Sequence, residues 1–162
     1  LTVQSDVFFI RCTPISYTQN CTLIHLLYNT ESDVQLVREC IDSMYPDRDS
    51  LASFYKKLNE NKNNDFTSLG KLNDILEDYS VEEIDTRLTI FEELGFIQRK
   101  SDNESQYIKL IQNEKRDLNT SKTYQRCEWL KLESQDFMNF QLERNCQQIW
   151  ERIKDECGIP NQ

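Results

Sequence analysis

The chain has 162 residues and a mass of 19.3 kDa, 38% hydrophobic and 10% aromatic, enough for one ordinary domain or two very small ones with a packed core. Three glycines and three prolines exclude collagenous or linker-like material and disfavour a turn-rich all-β sandwich, so helix should dominate. The 28 acidic against 19 basic side chains leave a formal charge of −9, which repels a phosphate backbone unless the cations gather on one face.

Mean hydropathy is −0.71, and no run approaches the roughly 20 apolar residues that span a bilayer, so a soluble, cytoplasmic protein without a membrane partner is expected. The basic-then-apolar start of a secretory signal is missing. An apolar run begins close behind Leu1, and the chain reads as a piece of something longer. Cys12, Cys21, Cys40, Cys127, Cys146 and Cys157 are scattered, with no Cys-x-x-Cys pair and one histidine in the chain. They read as free, reduced thiols rather than a disulfide framework or a zinc site.

The apolar runs Val7 to Cys12 and Leu23 to Tyr28 predict two buried strands, bounded by polar stretches such as Pro14 to Asn20. Val34, Val37, Ile41 and Met44 recur at helical spacing, with Leu36 and Cys40 widening the stripe. Two strands and a helix suggest the tail of an α/β unit whose remaining strands lie upstream. Asp47 can cap a helix carrying Leu51, Phe54, Tyr55 and Leu58, ended by the polar string Asn59 to Asn64. A second helix is expected over Leu69, Leu72, Ile75 and Leu76. A third opens at Ser80 with Glu83 as its capping-box partner, carries Val81, Ile84, Leu88, Phe91 and Leu94 on one face, and stops at Gly95. Phe96 to Lys100 and Tyr107 to Leu110 form a hairpin about the loop Ser101 to Gln106. After the polar stretch Asn113 to Ser121, residues from Lys122 to Cys157 read as one long or broken helix anchored by Leu130, Phe137, Phe140, Ile149, Trp150 and Ile153.

The fold class is therefore α+β and mainly helical: a small α/β part over 1–45, a winged-helix-like middle over 46–112, and a connecting loop with a long C-terminal helical segment over 113–162. Three helices and a hairpin are the order of a winged helix, whose third helix most often enters the DNA major groove. Here residues 80–94 hold Glu82, Glu83, Asp85, Glu92 and Glu93 against one base, Arg87, so charge repulsion argues for a scaffold or docking module instead. The locally basic stretch is Arg99, Lys100, Lys109, Lys115 and Arg116, set among Asp102, Glu104 and Glu114, and these five cations are the candidate contacts for a partner or a phosphate. The competing reading makes them solvated charges. Tyr55, Tyr107 and Tyr124 are candidates for base stacking, with a core role the better reading of Tyr55.

Catalytic patterns are missing. His25 sits in an apolar run without an acidic neighbour, which suits a packed histidine better than a general base. The adjacent carboxylates Asp47/Asp49, Glu82/Glu83 and Glu92/Glu93 read as caps or exposed-face residues. No phosphate loop, nucleophile elbow or His-Glu-x-x-His pattern occurs. The residues give no catalytic and no metal-binding candidates.

Three stretches carry a resemblance: YPDRDSLASFYKKL from Tyr45 to Leu58, IFEELGFI from Ile90 to Ile97, and KRDLNTSKTYQ from Lys115 to Gln125. They resemble the C-terminal accessory region of bacterial RecJ, the single-strand-specific 5′ to 3′ DNA exonuclease of recombination and repair. The resemblance implies that catalysis, with Mn²⁺ or Mg²⁺ held by aspartate and histidine motifs, belongs to upstream domains, none of whose motifs match here. It implies no cofactor in this chain. Its implied partners are those upstream domains, through them single-stranded DNA, and single-strand-binding protein, whose acidic-hydrophobic tail needs a base beside an apolar groove. Against this stand a free-standing winged-helix regulator or adaptor that binds duplex DNA or a protein, and a small enzyme built on scattered carboxylates and His25. The segment Lys115 to Gln125 has a second reading as a structural element in which Asp117 or Ser121 caps the last helix and Tyr124 packs its start.

Overall fold

In the computed structural model the chain is described over residues 5–9, 23–27, 32–61, 65–72, 75–102 and 105–157, with side chains between 32 and 155. Among these residues the chain is mainly helical α+β, as the sequence predicts, and it divides into two units, Ser43–Trp129 and Leu1–Asp42 with Leu130–Gln162.

In the unit containing both chain ends, β1 (Ser5–Phe9) and β2 (Leu23–Leu27) pair in parallel, Ser5 opposite Leu23 and Phe9 opposite Leu27. His25 is opposite Val7 in this ladder. Residues 10–22 and 28–31, with the rest of the two predicted strand runs, are outside the described residues. Helix α1 (Ser32–Met44) buries Val34 and Ile41. Leu36 and Cys40, expected to widen that stripe, are exposed because they lie on the side of the helix away from Val34 and Ile41. The predicted C-terminal helical stretch is broken into α5 (Lys122–Glu143) and α6 (Cys146–Cys157). The break is a reciprocal cap: Gln148 N donates to Asn145 Oδ1 at 3.0 Å, and Asn145 N donates to the Gln148 side chain at 3.3 Å. Phe137, Met138, Ile149 and Ile153 are buried, and Arg152 reaches Asp136 at 3.1 Å while lying over the rings of Phe137 and Phe140.

The Ser43–Trp129 unit begins with α2 (Arg48–Glu60), where Ser50 N donates to the Asp47 carboxylate at 2.8 Å, the cap the sequence predicts. Leu51, Phe54 and Leu58 are buried on one face. Of the predicted helix over Leu69 to Leu76 the described residues hold α3 (Leu69–Leu72), preceded by an unanticipated strand β3 (Thr67–Ser68), and residues 73–74 lie outside the described residues. Leu72 and Leu76 keep their core positions through the bond from Leu76 N to Leu72 O, but the chain is already turning toward Ser80. Gly70 inside α3 weakens any longer helix.

Helix α4 (Val81–Glu93) opens with the predicted box, Ser80 N to Glu83 Oε2 at 2.6 Å and Glu83 N to Ser80 Oγ at 3.2 Å. It ends in a Schellman turn. Phe96 N donates to Phe91 O and Gly95 N to Glu92 O, with Gly95 at φ 75°. A Cβ at position 95 would stand 3.1 Å from Asn113 Nδ2 and 3.8 Å from the Arg116 guanidinium, so the glycine serves both conformation and close approach. Strands β4 (Ile97–Ser101) and β5 (Gln106–Leu110) form the predicted hairpin, and the antiparallel sheet runs β3-β5-β4. The core gathers Leu51, Phe54 and Leu58 with Leu88, Ile90, Phe91, Leu94, Ile97, Ile108 and Tyr124. Val81, predicted for the apolar face, is 78% exposed, whereas Arg87, the one base among the acidic residues of 80–94, is 2% exposed. Among the described residues no helix is long and apolar enough to cross a membrane.

Candidate functional site

Helix α2 places Arg48, Leu51, Ala52 and Tyr55 on one face, at i, i+3, i+4 and i+7. Opposite them the α4 to β4 turn brings Phe91 and Phe96 together, with ring centroids 6.5 Å apart and Tyr55 at 5.4 and 5.7 Å from them. The segment 115–119 and the first turns of α5 close the remaining sides. The result is a groove of about 710 Å³, apolar in its floor and charged at its rim by Arg48, Lys115, Arg116, Asp117 and Glu128.

The wall at 115–119 is fixed by short-range polar bonds. Asp117 caps the 3-10 turn Leu118–Thr120 by accepting from Asn119 N at 3.0 Å, and Leu118 packs against the core. Ser121 is fully buried and caps α5, accepting from Tyr124 N at 3.0 Å. Its hydroxyl donates to Glu93 at 2.5 Å, and the same carboxylate accepts from Thr123 N at 3.0 Å and Thr123 Oγ1 at 2.8 Å. Burial pushes the Glu93 carboxyl up, but the bonds from Ser121, Thr123 and the Lys122 backbone outweigh it and hold the group below its ordinary range. Tyr124 lines the groove while 7% exposed. Burial raises its phenol above the usual value, helped by Glu128, to which it donates a hydrogen bond.

The five predicted contacts do not converge. Lys115 and Arg116 line the groove. Arg99 is committed to α4, with Asp85 at 2.7 Å, Glu92 at 3.3 Å and Thr89 Oγ1 at 2.8 Å. Lys109 lies over the Phe66 ring at 5.8 Å, and Lys100 is exposed on β4 opposite Tyr107. The groove residues that sequence reasoning missed are Arg48, Asp117 and Glu128. Arg48 carried a signal, because it shares the helical face of Leu51 and Tyr55; Glu128 carried one too, a turn beyond Tyr124.

The acidic face of α4 also has internal uses. Glu83 serves the cap and accepts from Ser43 Oγ, Asp85 and Glu92 hold Arg99, and Glu93 caps α5. Arg87 is enclosed by Phe54 and Tyr79, its guanidinium carbon 4.9 Å from the Tyr79 ring centre. It donates to Glu83 O, Ser43 O and Ser50 Oγ at 3.1 to 3.3 Å. Among the described residues no group of three or more histidines, cysteines, aspartates or glutamates is placed to hold a metal ion. The side chain of His25 lies outside the described residues.

A concave apolar floor with charges at its edge is the form of a binding site, in a mainly helical α+β domain. The family model described as single-strand DNA-specific exonuclease, C-terminal domain, matches residues 19–142, and the chain belongs to that family. No curated protein and no solved structure matches the chain.

Proposed function

We propose that the chain is a noncatalytic, protein-docking module of a single-strand-specific exonuclease acting in recombination and repair in the bacterial cytoplasm. In this reading hydrolysis, and the Mn²⁺ or Mg²⁺ it uses, belong to domains upstream. The α2 to β5 segment is a winged-helix-like scaffold put to a use other than duplex reading. The groove receives the acidic-hydrophobic tail of single-strand-binding protein, whose apolar end settles on Tyr55 and Phe96 while its carboxylates meet Lys115 and Arg116. The observation that carries this reading is that the basic pair lines the same groove as the half-exposed rings of Tyr55 and Phe96. Charge reversal, Lys115→Glu with Arg116→Glu, is expected to weaken binding of the tail peptide at least tenfold in a fluorescence titration, roughly 1.4 kcal/mol or more. An unchanged affinity removes this site.

A further inference from the structure

Half-exposed rings such as Tyr55 and Phe96 with exposed Arg and Lys beside them are also how proteins hold single-stranded DNA, by stacking bases and tracking the backbone. A domain of a single-strand-specific exonuclease family is exposed to that polymer, so a groove meant for a peptide needs a means of refusing it. We propose that Asp117 and Glu128 are the discriminating residues, which exclude a polynucleotide from the groove while admitting an acidic peptide. This rests on the docking reading given above.

The placement of the charges supports it. Arg116 stands by Gly95 and Phe96, since its guanidinium lies 3.8 Å from the point a Cβ on Gly95 would occupy. Glu128 lines the groove beside Tyr124, whose hydroxyl donates to its carboxylate. Asp117 follows Arg116 directly, and its cap bond to Asn119 N fixes its side chain. The rim thus carries two anions beside its three cations. A polynucleotide carries a phosphate at every residue and cannot lie along the groove without bringing some of them against a carboxylate. A peptide clusters its charges at one end. It can set them on Lys115 and Arg116 and leave neutral backbone, with N–H donors, beside Glu128. Specificity then comes from repulsion of the wrong ligand as much as attraction of the right one.

The test compares two fluorescent probes on the full chain, a short peptide of aspartates ending in an apolar residue and a deoxythymidine oligonucleotide of similar length. Asp117→Asn with Glu128→Gln keeps shape and the cap acceptor; Glu128→Gln alone leaves the 115–119 wall untouched. The double variant is expected to bind the oligonucleotide about tenfold more tightly and the peptide within about threefold of the unchanged chain, and the single variant to gain part of the oligonucleotide effect. The salt dependence of oligonucleotide binding should steepen, because cations formerly offset by carboxylates now release counterions. Oligonucleotide affinity within twofold of the unchanged chain in both variants overturns the proposal. If the unchanged chain fails to bind the peptide while the variants still gain oligonucleotide affinity, the docking reading falls and takes the admission of a peptide with it, leaving only the exclusion of a polynucleotide by the two carboxylates.

Discussion

Arg87 is the residue whose surroundings most constrain the Ser43–Trp129 unit, because a cation 2% exposed has no carboxylate within ion-pair distance among the described residues. Burial holds its pKa below the ordinary guanidinium value, against the opposing pull of Glu83 and Tyr79. What keeps it there is shape: the planar head fits between Phe54 and Tyr79 and its fork reaches three neutral acceptors. The expected consequence is an inverted order of substitutions. Arg87→Lys keeps the charge and loses the fork, and should destabilise the chain by about 2–3 kcal/mol. Arg87→Met fills the aromatic slot without a buried charge and should lose at least about 1 kcal/mol less. Urea midpoints of the two variants decide this, and a lysine variant more stable than the methionine one refutes it. The sequence contained a sign of the burial. At about 100° per residue, Arg87 falls between Phe91 and Leu94 inside the apolar arc, and Val81 falls at the opposite edge of it. The apolar residues of α4 taken alone place Val81 inside the stripe and give no place to Arg87.

Helix starts and stops were the most legible elements, because capping is local chemistry: Asp47, Ser80 with Glu83, and Gly95 each do what their sequence context predicts. The single-turn α3 was not legible, since its apolar stripe is real but the pairing of Thr67 and Ser68 with β5 fixes where the chain must go. The start of α5 was half legible, with Ser121 and Tyr124 in their anticipated roles but Glu93, two helical elements' ends away, supplying the second acceptor. That carboxylate makes α5 initiation acid-sensitive. Its folded pKa lies below the unfolded value, so its contribution is complete above the ordinary carboxylate range of about 4.3 and is lost as pH falls through the folded pKa. Glu93→Gln is expected to lower stability near neutrality by about 1 kcal/mol, the size of a lost cap, and to lose less than the unchanged chain does on acidification below about pH 4. Parallel loss of stability with pH in both proteins would show that Glu93 is not the titrating cap.

The union of Leu1–Asp42 with Leu130–Gln162 in one unit left no trace in the apolar periodicity, which records faces of elements and says nothing of which distant elements share a core. Charge is the property of the whole chain that composition does fix, and it opposes the proposed partner, because a chain of formal charge −9 repels an acidic peptide at long range. Which field governs binding depends on ionic strength. At about 0.01 M salt the screening length is roughly 30 Å, on the scale of the domain, and the full negative charge is felt; at about 0.1 M it is roughly 10 Å, and the cations at the groove act nearly alone. Peptide affinity should therefore rise or stay level from about 0.01 to 0.1 M salt and fall beyond it, as local attraction is screened in its turn. The Lys115→Glu, Arg116→Glu variant leaves Arg48 against four rim carboxylates, so repulsion dominates and its residual affinity should rise across the whole range. A titration series in which the unchanged chain weakens steeply from the lowest salt upward would mean that the net charge does not reach the groove, and that the five charges on its rim set the encounter by themselves.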